Sequence, residues 1–137
     1  MTLSGVTIES TTNSQPTGFT PIELVPTFDP YTFSYATSAT MPRNANWVKI
    51  SATKQSANAV WGDGSSTTEG KPFHLFFRSG AEQQTVRPTC EIDGNSAVST
   101  VDLANSQSSG WKYLTITTTL ALDGKTTAYT ISVRRAT

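Results

Sequence analysis

The chain has 137 residues with ten basic and ten acidic side chains, and 15% of its residues are charged. This balance argues against nucleic-acid binding, which needs an excess of Lys and Arg to displace counterions from phosphates. No apolar run approaches the roughly 20 residues that cross a bilayer, so no membrane insertion is expected in this segment. A chain of this length fits one domain, which we predict over residues 1–137.

Hydroxyl side chains are abundant, with 24 Thr and 16 Ser. They suit strand faces and polar turns better than helices, because Thr is stiff at χ1 and Ser competes with the helical backbone. A single cysteine, Cys90, precludes an intrachain disulfide, so the fold must rely on packing. Thr-rich chains of low charge are common in surface proteins, and we expect an extracellular or cell-surface location within a longer protein.

Apolar and polar residues alternate along the first half of the chain with the period of two that half-buried strands show. The predicted strands here are Leu3–Ile8, Phe33–Thr37, Trp47–Thr53, Val60–Trp61 and Phe73–Phe77. In the third of these, the alternation places Val48, Ile50 and Ala52 on one face. Five prolines interrupt the first third of the chain, and we expect helix content near zero.

Two Asp-Gly pairs predict two hairpins in the second half of the chain. Asp123-Gly124 separates Leu114–Leu120 from a run in which Tyr129, Ile131 and Val133 share a face, which is typical of a type I′ turn. The other pair, Asp93-Gly94, lies between predicted strands Val86–Ile92 and Ser96–Leu103.

Short strands with turn signals every eight to twelve residues indicate two antiparallel sheets packed face to face. Three stretches rich in Gly, Ser and Thr are expected to form loops at the ends of this sandwich: Thr11–Thr20, Gly62–Lys71 and Ala104–Gly110. Phe28 is expected to bury its ring where Pro30 turns the chain between sheets. Tyr35 and Tyr129 are expected to pack a ring and bond a hydroxyl to the backbone.

Three segments carry a family resemblance: Leu3–Ile8, the run from Leu24 through Phe28-Asp29-Pro30 to Tyr35, and the hairpin that closes with residues 129–134. Together they resemble the cadherin-like β-sandwich domain of microbial and algal surface proteins. The resemblance implies an all-β, immunoglobulin-like sandwich of two antiparallel sheets. Residues 54–110 exceed the usual central part of that family, so we expect an enlarged central region with an extra hairpin or longer loops.

The resemblance also implies a function without catalysis. Modules of this kind serve spacing, adhesion or protein–protein contact, and their partners are neighbouring domains or surface proteins. The sequence itself offers few catalytic groups: His74 is the only histidine, so any Ser–His or Cys–His pair must use it. We therefore predict that the protein is not an enzyme and needs no cofactor. A hydrolase would place His74 in a cleft beside Asp63, Glu69 or Ser65.

Metal binding has one weak candidate. One His and one Cys cannot supply the three or four nitrogen or sulfur ligands of a zinc site. Calcium prefers six to eight oxygens, several of them carboxylate. Asp63 and Glu69 supply two carboxylates in the loop between Gly62 and Gly70, and the alternative is a solvated turn. We expect no metal.

Carbohydrate binding is the alternative function. Sugar-binding sandwiches present exposed aromatic rings that stack on pyranose rings, and Trp47, Trp61 and Trp111 each lie beside a predicted loop. A polysaccharide would then be the partner. A buried tryptophan is expected in the core of a β-sandwich, and for each of the three we favour packing over a sugar platform. Exposure of the three rings discriminates the two interpretations.

Overall fold

Twelve strands make up the architecture of the described part of the chain. The computed structural model describes residues 1–63, 70–79, 82–103 and 110–136. In chain order the strands are β1 (Leu3–Thr11), β2 (Thr20–Ile22), β3 (Leu24–Val25), β4 (Ser34–Thr37), β5 (Trp47–Lys54), β6 (Val60–Trp61), β7 (Phe73–Ser79), β8 (Glu82–Val86), β9 (Glu91–Asp93), β10 (Ser96–Asp102), β11 (Tyr113–Leu122) and β12 (Lys125–Arg134). The predicted all-β class is confirmed.

Two sheets pack face to face, as predicted for a sandwich. The five-stranded sheet has the order β2-β1-β5-β10-β9. The seven-stranded sheet has the order β3-β4-β12-β11-β7-β8, with β6 continuing the line of β7 beside β11. Pairings among the described strands are antiparallel except between β4 and β12, which run parallel with Ser34 opposite Thr130. An isolated bridge between Met41 and Arg135 is also parallel.

The core lies between the sheets and is formed by the faces that alternation predicts. Val48, Ile50 and Ala52 are buried on β5. The largest fully buried side chains are Trp111, Tyr129, Phe73, Phe77, Leu3, Ile8, Met41, Ile50, Leu75, Leu103, Leu114 and Ile116. One buried position on β11 is polar: Thr118 is in phase with the apolar residues of its strand. Period-two patterning therefore decides which side of each long strand faces the core.

The closing hairpin has the predicted turn. Leu122 pairs with Lys125, so Asp123 and Gly124 form a two-residue loop, and both have positive φ (53° and 77°). Positive φ at both central residues is the requirement of a type I′ turn, which matches the right-handed twist of the strands.

The other predicted hairpin exists, with its turn shifted by one residue. Ser96 pairs with Asp93, so the loop is Gly94-Asn95, and Gly94 supplies the positive φ of 59°. The strand predicted over Val86–Ile92 is wrong. β8 ends at Val86 in the seven-stranded sheet, and β9 begins at Glu91 in the other sheet. Pro88 lies in this crossing, where its missing N–H interrupts no strand pairing.

Three strands were not predicted from the sequence: β2, β3 and β8. β2 and β3 follow the loop predicted over Thr11–Thr20 and carry the chain from one sheet to the other. Both are edge strands, and each is bordered by or contains a proline, Pro21 within β2 and Pro26 directly after β3. Proline is tolerated at a sheet edge because the lost N–H faces away from the partner strand.

Two tyrosine hydroxyls fix the turn between β3 and β4. The Tyr35 hydroxyl donates to the Asp29 carbonyl at 2.7 Å and accepts from the Asp29 amide at 3.0 Å. The Tyr129 hydroxyl donates to the Pro30 carbonyl at 2.5 Å and accepts from the Leu3 amide at 3.1 Å. Both predicted tyrosine roles are confirmed, and Tyr129 ties the turn, β12 and β1 together.

Phe28 is only partly buried, in contrast to the prediction of a buried ring. It stacks on Tyr35 with ring centroids 5.8 Å apart and tilts against Tyr129 at 6.2 Å. The ring packs against the edge of the core and covers the two tyrosines there.

We expect Tyr129→Phe to lower the free energy of unfolding by about 1–3 kcal/mol. The substitution keeps the buried ring but leaves the Leu3 amide and the Pro30 carbonyl without their shared partner. Tyr129→Ala should cost about 3–5 kcal/mol, because it also opens a cavity. Urea unfolding measures both values. Tyr31→Phe is the matched control, since Tyr31 is 77% exposed. A loss for Tyr129→Phe no larger than that of the control would contradict the assigned role.

The stability supplied by Tyr129 should also depend on pH. Burial raises the pKa of its phenol above the ordinary 10.0, although the amide of Leu3 opposes part of this shift. At alkaline pH the unfolded chain therefore loses the proton before the folded domain does. The stabilisation by this group is complete below pH 10 and is lost as the pH rises through the folded-state pKa. Between about pH 8 and 11, the stability advantage of the wild type over Tyr129→Phe should shrink. A stability difference between the two proteins that stays constant over this pH range would contradict a raised pKa of Tyr129.

Candidate functional site

The three tryptophans that the sequence singled out do not share one surface. Trp61, on β6, lies opposite Leu120 near the end of β11, whereas Trp111 lies just before the start of β11. Nine residues of extended chain separate Leu120 from Trp111, or about 30 Å. Trp47 begins β5 in the other sheet, opposite Thr11. The structure therefore does not bring the rings together.

Their surroundings are those of packing residues. Trp111 is 2% exposed, meets Phe77 edge-on with centroids 5.4 Å apart, and has the Arg135 guanidinium 5.0 Å from its ring. Trp61 is 5% exposed, with the Lys54 ammonium 5.8 Å from its ring. Trp47 is partly buried, and its indole N–H donates to the Ser14 carbonyl at 3.1 Å. A sugar platform needs rings open to water, and the rings of Trp61 and Trp111 are covered.

The weak metal candidate is only half described. Asp63 is described, whereas Glu69 and Ser65 belong to residues 64–69, which lie outside the described residues. Among the residues that the structure does describe, no group of three or more His, Cys, Asp or Glu side chains is arranged to hold a metal ion.

His74 points outward from β7 into a small polar cavity of about 170 Å³. Burial and the nearby Arg87 lower its pKa, which keeps the imidazole neutral near pH 7. Asp63 and Lys71 line the same cavity. His74 and Asp63 thus line one cavity, as expected for a hydrolase, but its described lining contains no serine or cysteine nucleophile. The hydroxyls there are those of the strand residues Thr117 and Thr119.

Cys90 is a partly buried thiol in the crossing between the sheets. Its Sγ lies 2.9 Å from the Ser99 hydroxyl, and burial raises its pKa. The thiolate is the reactive form of cysteine, so this environment makes Cys90 a poor nucleophile.

A cationic groove on the outer face of the seven-stranded sheet was missed at the level of sequence. Tyr113 pairs with Arg78 on one side and with Arg134 on the other. The two guanidinium carbons lie 5.1 and 5.8 Å from its ring centroid, within the range of cation–π attraction. Alternation along β11 predicts that Tyr113 points away from the core, because Leu114 points into it. The neighbouring arginines follow only from the strand register, which the sequence does not show.

This cationic groove encloses about 440 Å³. Thr115 and Ser132 add hydroxyls to its floor, residues 36–40 form its outer wall, and its lining contains no carboxylate. Lys112 and Arg135 are neighbours of these strands through the backbone alone, because the Lys112 amide donates to the Arg78 carbonyl and the Arg135 amide donates to the Lys112 carbonyl. The Arg135 guanidinium itself donates to the Trp111 and Arg43 carbonyls. The groove is thus positively charged and partly open, with Tyr113 39% exposed.

A protein-family model described as the cadherin-like beta sandwich domain matches residues 3–136. The chain belongs to this family. Neither the curated proteins nor the solved structures contain a match to it. Cadherin-like β-sandwich domains are generally non-catalytic structural modules and are typically extracellular. In the described part of this domain, no helix has the length and apolar character needed to cross a membrane.

The cadherin-like domain should show tryptophan fluorescence that acrylamide quenches mainly through Trp47, the least covered of the three rings. Trp47→Phe should lower the Stern–Volmer constant, whereas Trp61→Phe and Trp111→Phe should leave the quenchable part of the emission in place. Soluble polysaccharides should not change any of these values. A polysaccharide that protects the emission of Trp61 or Trp111 would contradict their assignment as packing residues.

Proposed function

We propose that this cadherin-like domain is a non-catalytic structural module of a longer cell-surface or secreted protein. It spaces neighbouring domains along that protein and contacts neighbouring proteins. The observation that carries the proposal is that β1 begins at one end of the sandwich and β12 finishes at the other.

Three contacts define these ends. The Thr127 hydroxyl donates to the Met1 carbonyl at 3.2 Å, which places the beginning of β1 beside the beginning of β12. The Ala136 amide donates to the Met41 carbonyl at 2.9 Å, at the opposite end. The ten residues of β12 span about 30 Å between these points. A chain that passes through the domain is therefore carried along its full length, as a spacer requires.

The strands that carry this path are also firmly held. β1 pairs with β2 and β5, and β12 pairs with β11 and β4. Tension between the ends of the domain runs along these strands and thus across ladders of bonds that lie perpendicular to them. Many bonds must then break together, which favours a module that transmits force without unfolding.

A tandem of two copies tests the spacing role. We expect small-angle scattering from two domains joined by a short linker to give a maximum dimension near the sum of two domain lengths. A tandem with a long Gly/Ser linker is the control, because flexible linkers allow the two domains to fold back on each other. Equal maximum dimensions for the two tandems, both close to that of one compact particle, would contradict the proposal.

A further inference from the structure

The neutral net charge of the domain hides two faces of opposite charge. On the outer face of the seven-stranded sheet, the cationic groove holds Arg78 and Arg134 without a lining carboxylate. On the five-stranded sheet, the outward positions carry an excess of acidic side chains. Within its described strands these acidic residues are Glu9, Glu91, Asp93 and Asp102, and Lys49 is the cation that pairs across from Glu9.

Two of the acidic residues lie on a protruding element. The turn Gly94-Asn95 joins β9 to β10, and every residue of β9 is exposed. Ile92 is 48% exposed and is flanked by Glu91 and Asp93. We call residues 91–95 the acidic hairpin. Opposed residues of a strand pair share a face, so Glu91 and Asp93 point outward together, whereas Ile92 lies on the same face as the buried Ala97. Two carboxylates on one exposed face match a surface that carries two guanidinium groups.

The cationic groove has the composition of an interaction site. Tyrosine and arginine are enriched at the centres of protein interfaces, where they contribute most of the binding energy. Guanidinium groups bind carboxylates through two parallel hydrogen bonds. The groove of about 440 Å³ has room for several side chains, and residues 36–40 line it on one side.

We propose that the cationic groove of one copy of this domain binds the acidic hairpin of a second copy. Glu91 and Asp93, which share the outward face of β9, bind Arg78 and Arg134 beside Tyr113. This inference rests on the proposed function, for which it names a partner. Groove and hairpin are different surfaces, so the contact is heterologous, and each copy keeps one free surface of each kind. The association therefore extends into a row of copies instead of closing as a two-fold dimer.

Sedimentation velocity over a concentration series tests the proposal with separate, single domains. The wild type should associate, and added salt should weaken the association, because exposed charges are screened. Arg78→Glu with Arg134→Glu should weaken it by about tenfold or more, since like charges then face each other. Glu91→Lys with Asp93→Lys should have the same effect. Lys125→Glu, which reverses an exposed charge at the other end of β12, is the matched control and should associate like the wild type.

Mixing the two reversed variants gives the decisive result. The groove variant is then acidic on both surfaces and the hairpin variant basic on both, so each alone remains monomeric while the mixture associates. Unchanged melting temperatures show that both variants fold. A monomeric wild type at all concentrations, or a mixture that does not associate, would overturn the proposal. So would binding of an acidic polysaccharide or acidic peptide at Arg78 and Arg134 without self-association.

The spacing role is tested independently of the self-association. The tandem measurement is made below the concentration at which separate copies associate, and it depends on the path of the chain through one domain. A compact tandem with self-associating single domains would refute the spacer and keep the contact. An extended tandem of domains that stay monomeric would keep the spacer and refute this partner.

Discussion

The fold depends on one hydroxyl group that joins three parts of the chain. The oxygen of Tyr129 accepts from the Leu3 amide at the start of β1 and donates to the Pro30 carbonyl in the turn before β4. β1 belongs to one sheet and β12 to the other, so this contact links the sheets at the end where the path through the domain begins. The side chain is 1% exposed, and hydrogen bonds are stronger where the local dielectric constant is low.

The opposite end of the sandwich is held differently. There Arg135 donates from its side chain to the carbonyls of Arg43 and Trp111, and its guanidinium lies over the Trp111 ring. The first end is thus closed by neutral hydroxyl bonds and the second by a cation bound to carbonyls.

Sequence patterning predicted most of the long strands, because burial on one face leaves a period of two that Val48, Ile50 and Ala52 display directly. It also predicted the tyrosine contacts and the turn at Asp123-Gly124, where local chemistry decides the geometry. It failed where the chain changes sheets, as between Val86 and Glu91, since crossing leaves no periodic signal. The cationic groove could not be predicted from the sequence for a related reason. Its three residues come from three strands, and only the register of those strands makes them neighbours.

The edge strands of both sheets are short, which matters for aggregation when many copies of the domain lie close together. The five-stranded sheet ends in β2 and β9 with three residues each, and the seven-stranded sheet ends in β3 with two and β8 with five. Long, flat edges invite strand pairing between chains, and identical neighbours in an array would be the most exposed to it. The four edge strands have only two to five residues each, so they are poor templates for strand exchange between adjacent copies.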